Sequence, residues 1–133
     1  MSVRYLIDTD RVVDYLNGVP AITDRVRDLI RRRILALSVI SLAELHEGML
    51  YSTHPDRSNL ALLRFVRGIR LLDVDRNIAK RFGAERGRLR KMHQMIGDLD
   101  LLIGATALHH NLVLITNNRR HFQRLPGLRI ESF

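Results

Sequence analysis

The stretch GDLDLLIGATALHHNLVLITNN, residues 97–118, decides the fold of this sequence. Two aspartates, Asp98 and Asp100, open it, an apolar segment follows, and a Thr-Asn-Asn triplet closes it. We interpret residues 98–109 as a helix and residues 112–115 as a short buried strand, because helices are long periodic segments and buried strands are short apolar runs. The stretch therefore predicts a helix that leads into a strand, with carboxylates where the helix begins.

Strands and helices alternate on both sides of this unit. The pattern predicts strands at 3–7, 34–39, 69–72, 112–115 and 128–130, and helices at 11–16, 21–32, 41–51, 59–66, 77–92 and 98–109. Apolar strands that alternate with helices are typical of a mostly parallel sheet covered on both faces. We therefore predict a three-layer α/β/α fold with a central sheet of four to five strands, formed by a single domain over residues 1–133.

The chain is strongly basic. Lysine and arginine number 22 against 14 acidic residues, the formal net charge is +8, and 20 of the 22 cations are arginine. A basic surface favours RNA, DNA or an acidic protein as the partner, and the planar arginine fork suits phosphate oxygens. A GC-rich genome would also explain arginine in place of lysine, but it does not explain the net excess of positive charge.

The absence of cysteine excludes a disulfide scaffold and thiolate chemistry, and it is consistent with a reducing compartment. No run of about 18 apolar residues is present, so no membrane-spanning segment is expected. The first ten residues, MSVRYLIDTD, meet an acid at Asp8 and are interpreted as a first strand and not as a signal peptide. The expected location is the cytoplasm.

Polar side chains follow the predicted strands. They are Asp8 after the first strand, Glu44 in the helix after the second, and Thr116, Asn117 and Asn118 after the fourth. In parallel α/β sheets, ligands bind outside the carboxyl ends of the strands. Asp100 begins a helix that precedes its strand, so it reaches this edge only through tertiary packing. We infer that Asp8, Glu44 and Asp100 meet in one acidic pocket.

Such a pocket needs compensation, because neighbouring negative charges repel one another. One carboxylate can take a proton, or a hard divalent cation such as Mg²⁺ or Mn²⁺ can lie between them. With a basic surface around it, the site suits metal-assisted hydrolysis of a phosphodiester, since the metal lowers the pKa of a bound water and stabilises charge on the phosphate.

The first two acids also have purely structural interpretations. Asp8, together with Thr9, could cap the helix that is predicted near residue 11. Glu44 lies three residues after Ser41, so the two could form a capping box. These alternatives remain open on the sequence alone.

The two aspartates of the opening stretch have structural interpretations as well. Asp98 after Gly97 is an ordinary N-cap, and Asp100 is an acid that the helix dipole favours in the first turn. Residues two apart lie about 200° around a helix, so both are not expected to face one pocket. We assign the cap to Asp98 and the pocket to Asp100.

Four segments around these residues resemble a PIN domain and, more narrowly, the VapC toxins of bacterial and archaeal type II toxin–antitoxin systems. The segments are YLIDTD at 5–10, VISLAEL at 39–45, DLLIGATAL at 100–108 and LITNNRRHFQRLPGL at 114–128. They occur in the family's order and at its spacing, and together they cover essentially the whole chain. The resemblance implies a PIN-like fold.

The resemblance also implies roles for individual residues. The family's three invariant acids fall on Asp8, Glu44 and Asp100, which are the implied catalytic residues and metal ligands, with Asp98 a less favoured ligand. The fourth position is often aspartate in the family and falls here on Asn118, which is the fourth implied catalytic residue. Its neutral amide can still coordinate a metal or position a water, but it weakens any second metal site. The implied supporting residues of the pocket are Thr9 and Thr116.

The implied activity is that of an endoribonuclease that depends on Mg²⁺, for which Mn²⁺ can substitute. Such a protein cleaves RNA as the toxin of a toxin–antitoxin pair and inhibits translation and growth. The resemblance further implies a homodimer, a cognate antitoxin whose tail enters the acidic pocket, and a larger toxin–antitoxin hetero-oligomer. The alternatives are a non-catalytic nucleic-acid-binding or interaction module on the same fold, given Asn118, and a housekeeping RNA-processing PIN nuclease.

Cationic residues close in sequence to the predicted pocket are the candidates for RNA contacts. They are Arg86, Arg88, Arg90, Lys91, Arg119 and Arg120. The arginine run at 31–33 is either a solvated helix end or a further RNA contact. Aromatic residues are few and tryptophan is absent, so stacking on bases is not the expected mode of recognition.

Overall fold

The computed structural model describes residues 2–133, in which five strands alternate with seven helices. The strands are β1 (Tyr5–Ile7), β2 (Leu35–Ser38), β3 (Arg70–Leu72), β4 (Val113–Ile115) and β5 (Ile130–Glu131). The helices are α1 (Thr9–Leu16), α2 (Pro20–Arg31), α3 (Val39–Met49), α4 (Pro55–Arg67), α5 (Arg76–Lys91), α6 (Asp98–His109) and α7 (Arg119–Phe122). Every strand pair is parallel, in the order β3-β2-β1-β4-β5. The predicted α/β fold is confirmed, and the sheet is parallel throughout.

Helices cover both faces of the sheet, so the protein has three layers. One core contains side chains from α1 to α4, among them Val12, Leu29 and Phe65. The other contains side chains from α5, α6 and α7, among them Leu89 and Phe122. Strand side chains alternate between the faces, so the central strand β1 contributes to both cores. Within residues 2–133, no helix combines the length and the apolar composition that a membrane crossing requires.

Helix α6 spans the residues predicted for it, and six of its twelve residues are buried. Gly104 faces the segment after β4: a Cβ at this position would overlap Leu125 Cδ1 and lie 3.5 Å from Phe122 Cδ1. The missing side chain therefore permits close packing of α7 against α6. This packing brings Asn118, at the start of α7, next to Asp100 at the start of α6.

Several element boundaries differ from the prediction. Helices α1 and α4 begin earlier, at Thr9 and Pro55, because Asp8 caps α1 and proline is favoured at the first position of a helix. The last strand is Ile130–Glu131 and not 128–130, since a turn with Gly127 at φ 84° precedes it. The single turn of α7 was not predicted, because four residues are too short for a periodic pattern.

The N-cap of α3 is Ser38 and not Ser41. The Ser38 hydroxyl accepts a hydrogen bond from the backbone N–H of Ile40 at 3.0 Å, whereas Ser41 is buried within the helix. The proposed capping box of Ser41 with Glu44 is therefore wrong, and the Glu44 carboxylate has a different partner.

Candidate active site at the carboxyl edge of the sheet

Asp8 lies at the carboxyl end of β1 and is only 4% exposed. Its Oδ1 accepts a hydrogen bond from the backbone N–H of Thr9 at 2.8 Å, which makes Asp8 the N-cap of α1. Its Oδ2 accepts a second hydrogen bond from the Thr116 hydroxyl at 2.7 Å, at the end of β4. The capping role and a place in the acidic pocket are therefore compatible, since each uses one carboxylate oxygen.

Thr116 joins Asp8 to the residues that follow β4. Its buried hydroxyl also accepts a hydrogen bond from the backbone N–H of Asn118 at 2.9 Å. The Asn118 side-chain nitrogen lies 3.4 Å from Asp100 Oδ2 and 3.0 Å from His121 Nδ1. His121 Nδ1 is in turn 3.8 Å from Asp100 Oδ2. A continuous polar group thus runs from β1 through the end of β4 to the start of α6.

Glu44 joins this group through a hydroxyl. The Thr9 side chain donates a hydrogen bond to Glu44 Oε1 at 2.6 Å, and the Thr9 backbone N–H binds Asp8. This contact holds the first turn of α1 to the second turn of α3. Thr9 therefore links Glu44 to Asp8. The second carboxylate oxygen of Glu44 makes no hydrogen bond within residues 2–133.

Sequence reasoning missed two residues of this group, Asp10 and His121. Asp10 Oδ2 accepts a hydrogen bond from the backbone N–H of Asn117 at 3.0 Å, while its Oδ1 is buried without a partner among residues 2–133. The signal for Asp10 was the second acid of the DTD motif, two residues after Asp8. No local pattern distinguishes His121, because its contacts with Asp100 and Asn118 depend on the packing of α7.

Burial raises the pKa of Asp8 from its ordinary value of 3.8 to about 7. The charges of Asp10 and Asp100 raise it further, while the hydrogen bonds from Thr116 and Thr9 oppose the shift. Burial also raises the pKa values of Asp10 and Asp100, and His121 acts against this at Asp100. Burial is the largest cause of all three shifts, so the folded pocket disfavours negative charge on these aspartates unless a cation compensates it.

The donor set suits a hard cation that keeps part of its water. Among residues 2–133, no three carboxylate or imidazole side chains converge closely enough to enclose an ion by themselves. Mg²⁺ does not require this, because it retains several waters and is commonly held by one or two carboxylates. The oxygens of Asp8 and Asp100, the excess negative charge and the unpaired Asp10 Oδ1 fit such an ion.

Asp98 is not the cap of α6, and that prediction is wrong. The N-cap position is Gly97, which has no side chain to accept a hydrogen bond. Asp98 is 61% exposed at its side chain and accepts a hydrogen bond from Arg86 Nε at 2.9 Å instead. The hydrogen-bond partner of Asp98 is therefore the Arg86 guanidinium on helix α5 and not the backbone N–H groups at the start of α6.

The candidate RNA-contacting cations differ in how far they are engaged. Arg86 pairs with Asp98, Arg88 donates to the Arg124 carbonyl at 2.8 Å, and Arg119 donates to the Ile130 carbonyl at 3.2 Å. The remaining three are exposed and make no side-chain hydrogen bond within the described residues; they are Arg90, Lys91 and Arg120.

The raised pKa of Asp8 predicts the pH dependence of stability. The native state holds a proton that the unfolded chain releases between about pH 4 and pH 7, so stability falls as the pH rises through this window. In EDTA, Asp8→Asn should melt above the wild type at pH 8, because Asn caps a helix as well as Asp does and carries no charge. The difference in Tm should shrink towards pH 5. Thermal melts of both proteins from pH 5 to pH 8 test this, and a difference that is independent of pH contradicts the charge argument.

Known proteins match this chain over nearly its whole length. The PIN domain family matches residues 5–128. The chain is 30% identical over 131 residues to the tRNA(fMet)-specific endonuclease VapC of Shigella flexneri, with 98% of each protein covered. It is 32% identical over 130 residues to ribonuclease VapC1 of Haemophilus influenzae strain R2866, with 97% of each protein covered.

Solved structures show the same relationship. A chain of VapBC2 from Rickettsia felis, bound to a DNA fragment from its promoter, matches with a TM-score of 0.89 and 29% identity, over 100% of this chain and 99% of that one. A chain of DNA-bound VapBC from Salmonella typhimurium matches with a TM-score of 0.89 and 30% identity, over 98% of each. The resemblance seen in the four sequence segments is confirmed: the chain belongs to the PIN domain family and, within it, to the VapC proteins.

Proposed function

We propose that this protein is an endoribonuclease that depends on Mg²⁺, with Mn²⁺ able to substitute, and that it is the toxin of a toxin–antitoxin pair. The observation that carries the proposal is the group of acids at the carboxyl edge, in which Asp8 is buried, Asp10 and Asp100 are half-buried, and the charges of Asp10 and Asp100 add to the effect of burial on the pKa of Asp8. The nuclease names of relatives that are about 30% identical support the same reaction class.

Asp8 and Asp100 are the residues that would hold the cation, with the Asn118 amide beside them. Thr116 orients Asp8, because its hydroxyl donates to one carboxylate oxygen and accepts from the Asn118 backbone. The free oxygen of Glu44 is available to the cation or to a water of its hydration shell. When bound, the cation lowers the pKa of a water and stabilises the charge that develops on the phosphate.

The RNA backbone needs cations beside this acidic pocket, since the acids alone would repel phosphates. Arg120 lies two residues after Asn118 and is exposed, so it is placed to contact a phosphate near the cleaved bond. Arg90 and Lys91, at the end of α5, are exposed candidates for a second contact.

The partner that we propose is an antitoxin protein, as in the VapBC complexes that the solved relatives form. A cavity of about 410 Å³ lies between α1, α3 and α4 and is lined in part by Leu16, Leu45 and Met49. The neighbouring side chains of Leu50 and Tyr51 are 78% and 79% exposed. Exposed apolar surface of this kind is typical of a protein interface, so an antitoxin helix would bury it. We also propose that the protein forms homodimers.

The test of the activity is RNA cleavage by the purified protein with Mg²⁺, with Mn²⁺ and with EDTA. We expect cleavage with either metal, loss of cleavage in EDTA, and recovery when the metal is added back. Growth arrest on expression, relieved by the cognate antitoxin, distinguishes a toxin from a housekeeping nuclease. RNA binding without cleavage under every metal condition would favour the non-catalytic module instead.

The adjacent aspartates of α6 should behave differently on substitution. Asp98→Asn is expected to change the cleavage rate by less than about 3-fold, because this side chain is exposed and its ion pair with Arg86 is a surface pair of small energy. Rates measured with saturating Mg²⁺ test this. A loss in Asp98→Asn as large as that in Asp100→Asn would place Asp98 among the metal-site residues.

A further inference from the structure

A second charged site lies at the opposite edge of the sheet from the acids. Its cavity has a volume of about 810 Å³ and is lined by four arginines, Arg31, Arg33, Arg67 and Arg70. The apolar part of the lining comes from Ile30 near the end of α2 and from residues at the amino ends of the first three strands, which are Val3, Leu35 and Ile69. In a parallel sheet all these ends lie on one edge, so the arginines are separated from the acidic pocket by the length of the strands.

Most of the positive charge of this cavity is uncompensated. No acidic residue lines it, and of the four arginines Arg31 alone has an acidic partner within residues 2–133, Asp28 at 2.6 Å. The side chains of Arg33, Arg67 and Arg70 make no hydrogen bond or ion pair within those residues, and all three are exposed. Like charges that face one open cavity repel one another unless an anion from outside the chain joins them.

Helix dipoles explain the positions of two of the four arginines but not those of the other two. Arg31 and Arg67 lie in the last turns of α2 and α4, where a cation is favoured by the helix C-terminus. Arg70 is on a strand, and Arg33 lies beyond the end of α2 with φ at 58°, so the dipole does not account for either.

The basic surface continues along the same edge. A neighbouring cavity of about 350 Å³, at the amino ends of β1 and β4, is lined by Arg4 and Arg129 among others. Both arginines are exposed; the Arg129 guanidinium donates two hydrogen bonds to Asn111, at 3.0 and 3.2 Å, whereas the Arg4 side chain makes none within residues 2–133. The amino edge of the sheet therefore carries arginines beneath β3, β2, β1 and β4, while the acids occupy the carboxyl edge.

We propose that the arginine-lined cavity binds backbone phosphates of the RNA substrate at a distance from the cleavage site. The inference rests on the proposed function and adds to it a second binding site on the same RNA. Guanidinium groups bind phosphate oxygens through paired hydrogen bonds. No aromatic side chain lines the cavity, so it contacts the backbone and does not stack on bases. The preferred substrate is a folded RNA that is large enough to reach both edges of the sheet.

The test compares two double variants that remove the same charge. Arg67→Gln with Arg70→Gln alters the cavity, while Arg31, which is paired, and Arg33, which has a positive φ, stay unchanged. Arg57→Gln with Lys80→Gln is the control, because both side chains are exposed, neither lines this cavity, and Lys80 lies on the other face of the sheet. Thermal melts check that both variants are folded.

The first measurement is the Kd for unfractionated transfer RNA in EDTA, over a range of KCl concentrations. The cavity variant should bind at least about 10-fold more weakly, with a salt slope that falls by about 2, since each lost phosphate contact removes about 1. The control variant should stay within about 3-fold of the wild type. Equal binding by both variants would overturn the proposal and leave an acidic protein surface as the occupant of the cavity.

The second measurement separates this proposal from the proposed activity. Cleavage of a dinucleotide, whose single phosphodiester cannot occupy the acidic pocket and the arginine-lined cavity at the same time, should be unchanged in the cavity variant, while kcat/KM for transfer RNA falls. A cavity variant that loses cleavage of both RNAs equally contradicts a separate binding site. A wild type that cleaves neither RNA refutes the activity alone, because the binding measurement in EDTA does not depend on it.

Discussion

Asp100→Asn is expected to lower the rate of RNA cleavage by more than about 100-fold while the protein remains folded. Loss of a group that only supports a metal ligand typically costs 10- to 100-fold, and Asp100 is proposed as a ligand itself. Asn keeps the size of the side chain and an oxygen for the contacts with Asn118 and His121. Because Asp100 raises the pKa of Asp8, its neutralisation also reduces repulsion in the pocket.

The experiment measures single-turnover cleavage together with Tm in EDTA and in Mn²⁺. We expect Asp100→Asn to lose the increase in Tm that Mn²⁺ gives the wild type, which reports metal binding without any reference to activity. Asp98→Asn is the matched control, two residues away on the same helix. Asp8→Asn should show the same loss of cleavage as Asp100→Asn. Cleavage by Asp100→Asn within about 3-fold of the wild type would remove this residue from the site.

The position of Asp100 was predictable from two local patterns, the apolar segment that follows it and the spacing of two residues that separates it from Asp98. The apolar segment that follows must be a buried helix, and the polar end of such a helix can only lie at the surface of the core. The structure places α6 at the predicted residues and orients Asp100 towards the end of β4. Asp8 was predictable for a similar reason, since the strand before it ends at the carboxyl edge of a parallel sheet.

The roles of caps and hydroxyls could not be predicted in the same way. Ser38 and Ser41 are both acceptable caps by residue type and both are buried, so only the residue at which α3 begins decides between them. Asp98 was predicted to cap α6 because its residue type and position suit a cap. Its actual partner, Arg86, is twelve positions away on a different helix, so the sequence does not show their ion pair. Local patterns do not report which competing donor a carboxylate meets in the folded chain.

Longer-range contacts explain the remaining omissions. The hydrogen bond from Thr9 to Glu44 spans 35 positions, and that from Asn117 to Asp10 spans 107. The first depends on how α1 packs against α3, and the second depends on the pairing of β1 with β4. The arginines of the amino edge are likewise spread over the chain from Arg4 to Arg129, so only the strand order brings them onto one surface.

Asn118→Asp is expected to tighten Mn²⁺ binding by the free protein by at least about 10-fold. In the wild type, the Asn118 amide nitrogen faces Asp100 Oδ2 at 3.4 Å and so places a donor next to a carboxylate. Aspartate at this position would place a second carboxylate there, and the repulsion would raise the pKa values of the pair and lower the Tm in EDTA. A divalent cation relieves this repulsion, so more free energy is gained when it binds. Cleavage need not become faster, because a metal that is bound more tightly in the ground state does not by itself stabilise the transition state.

Calorimetric titration of Mn²⁺ without RNA measures this effect, with Asn117→Asp as the matched control. The Asn117 side chain is exposed and lies one residue away, so the same added charge should change the Mn²⁺ affinity much less. With Asn at position 118, the wild type should bind one ion weakly. Asp8 and Asp100 are the carboxylates proposed to hold this ion, and Mg²⁺ and similar ions prefer few protein ligands and several waters. A second ion would then arrive only with the RNA phosphate, which supplies the missing negative charge. Two ions per wild-type subunit at comparable affinity, or equal affinities in Asn118→Asp and Asn117→Asp, would show that the residue at 118 does not set the number of metals.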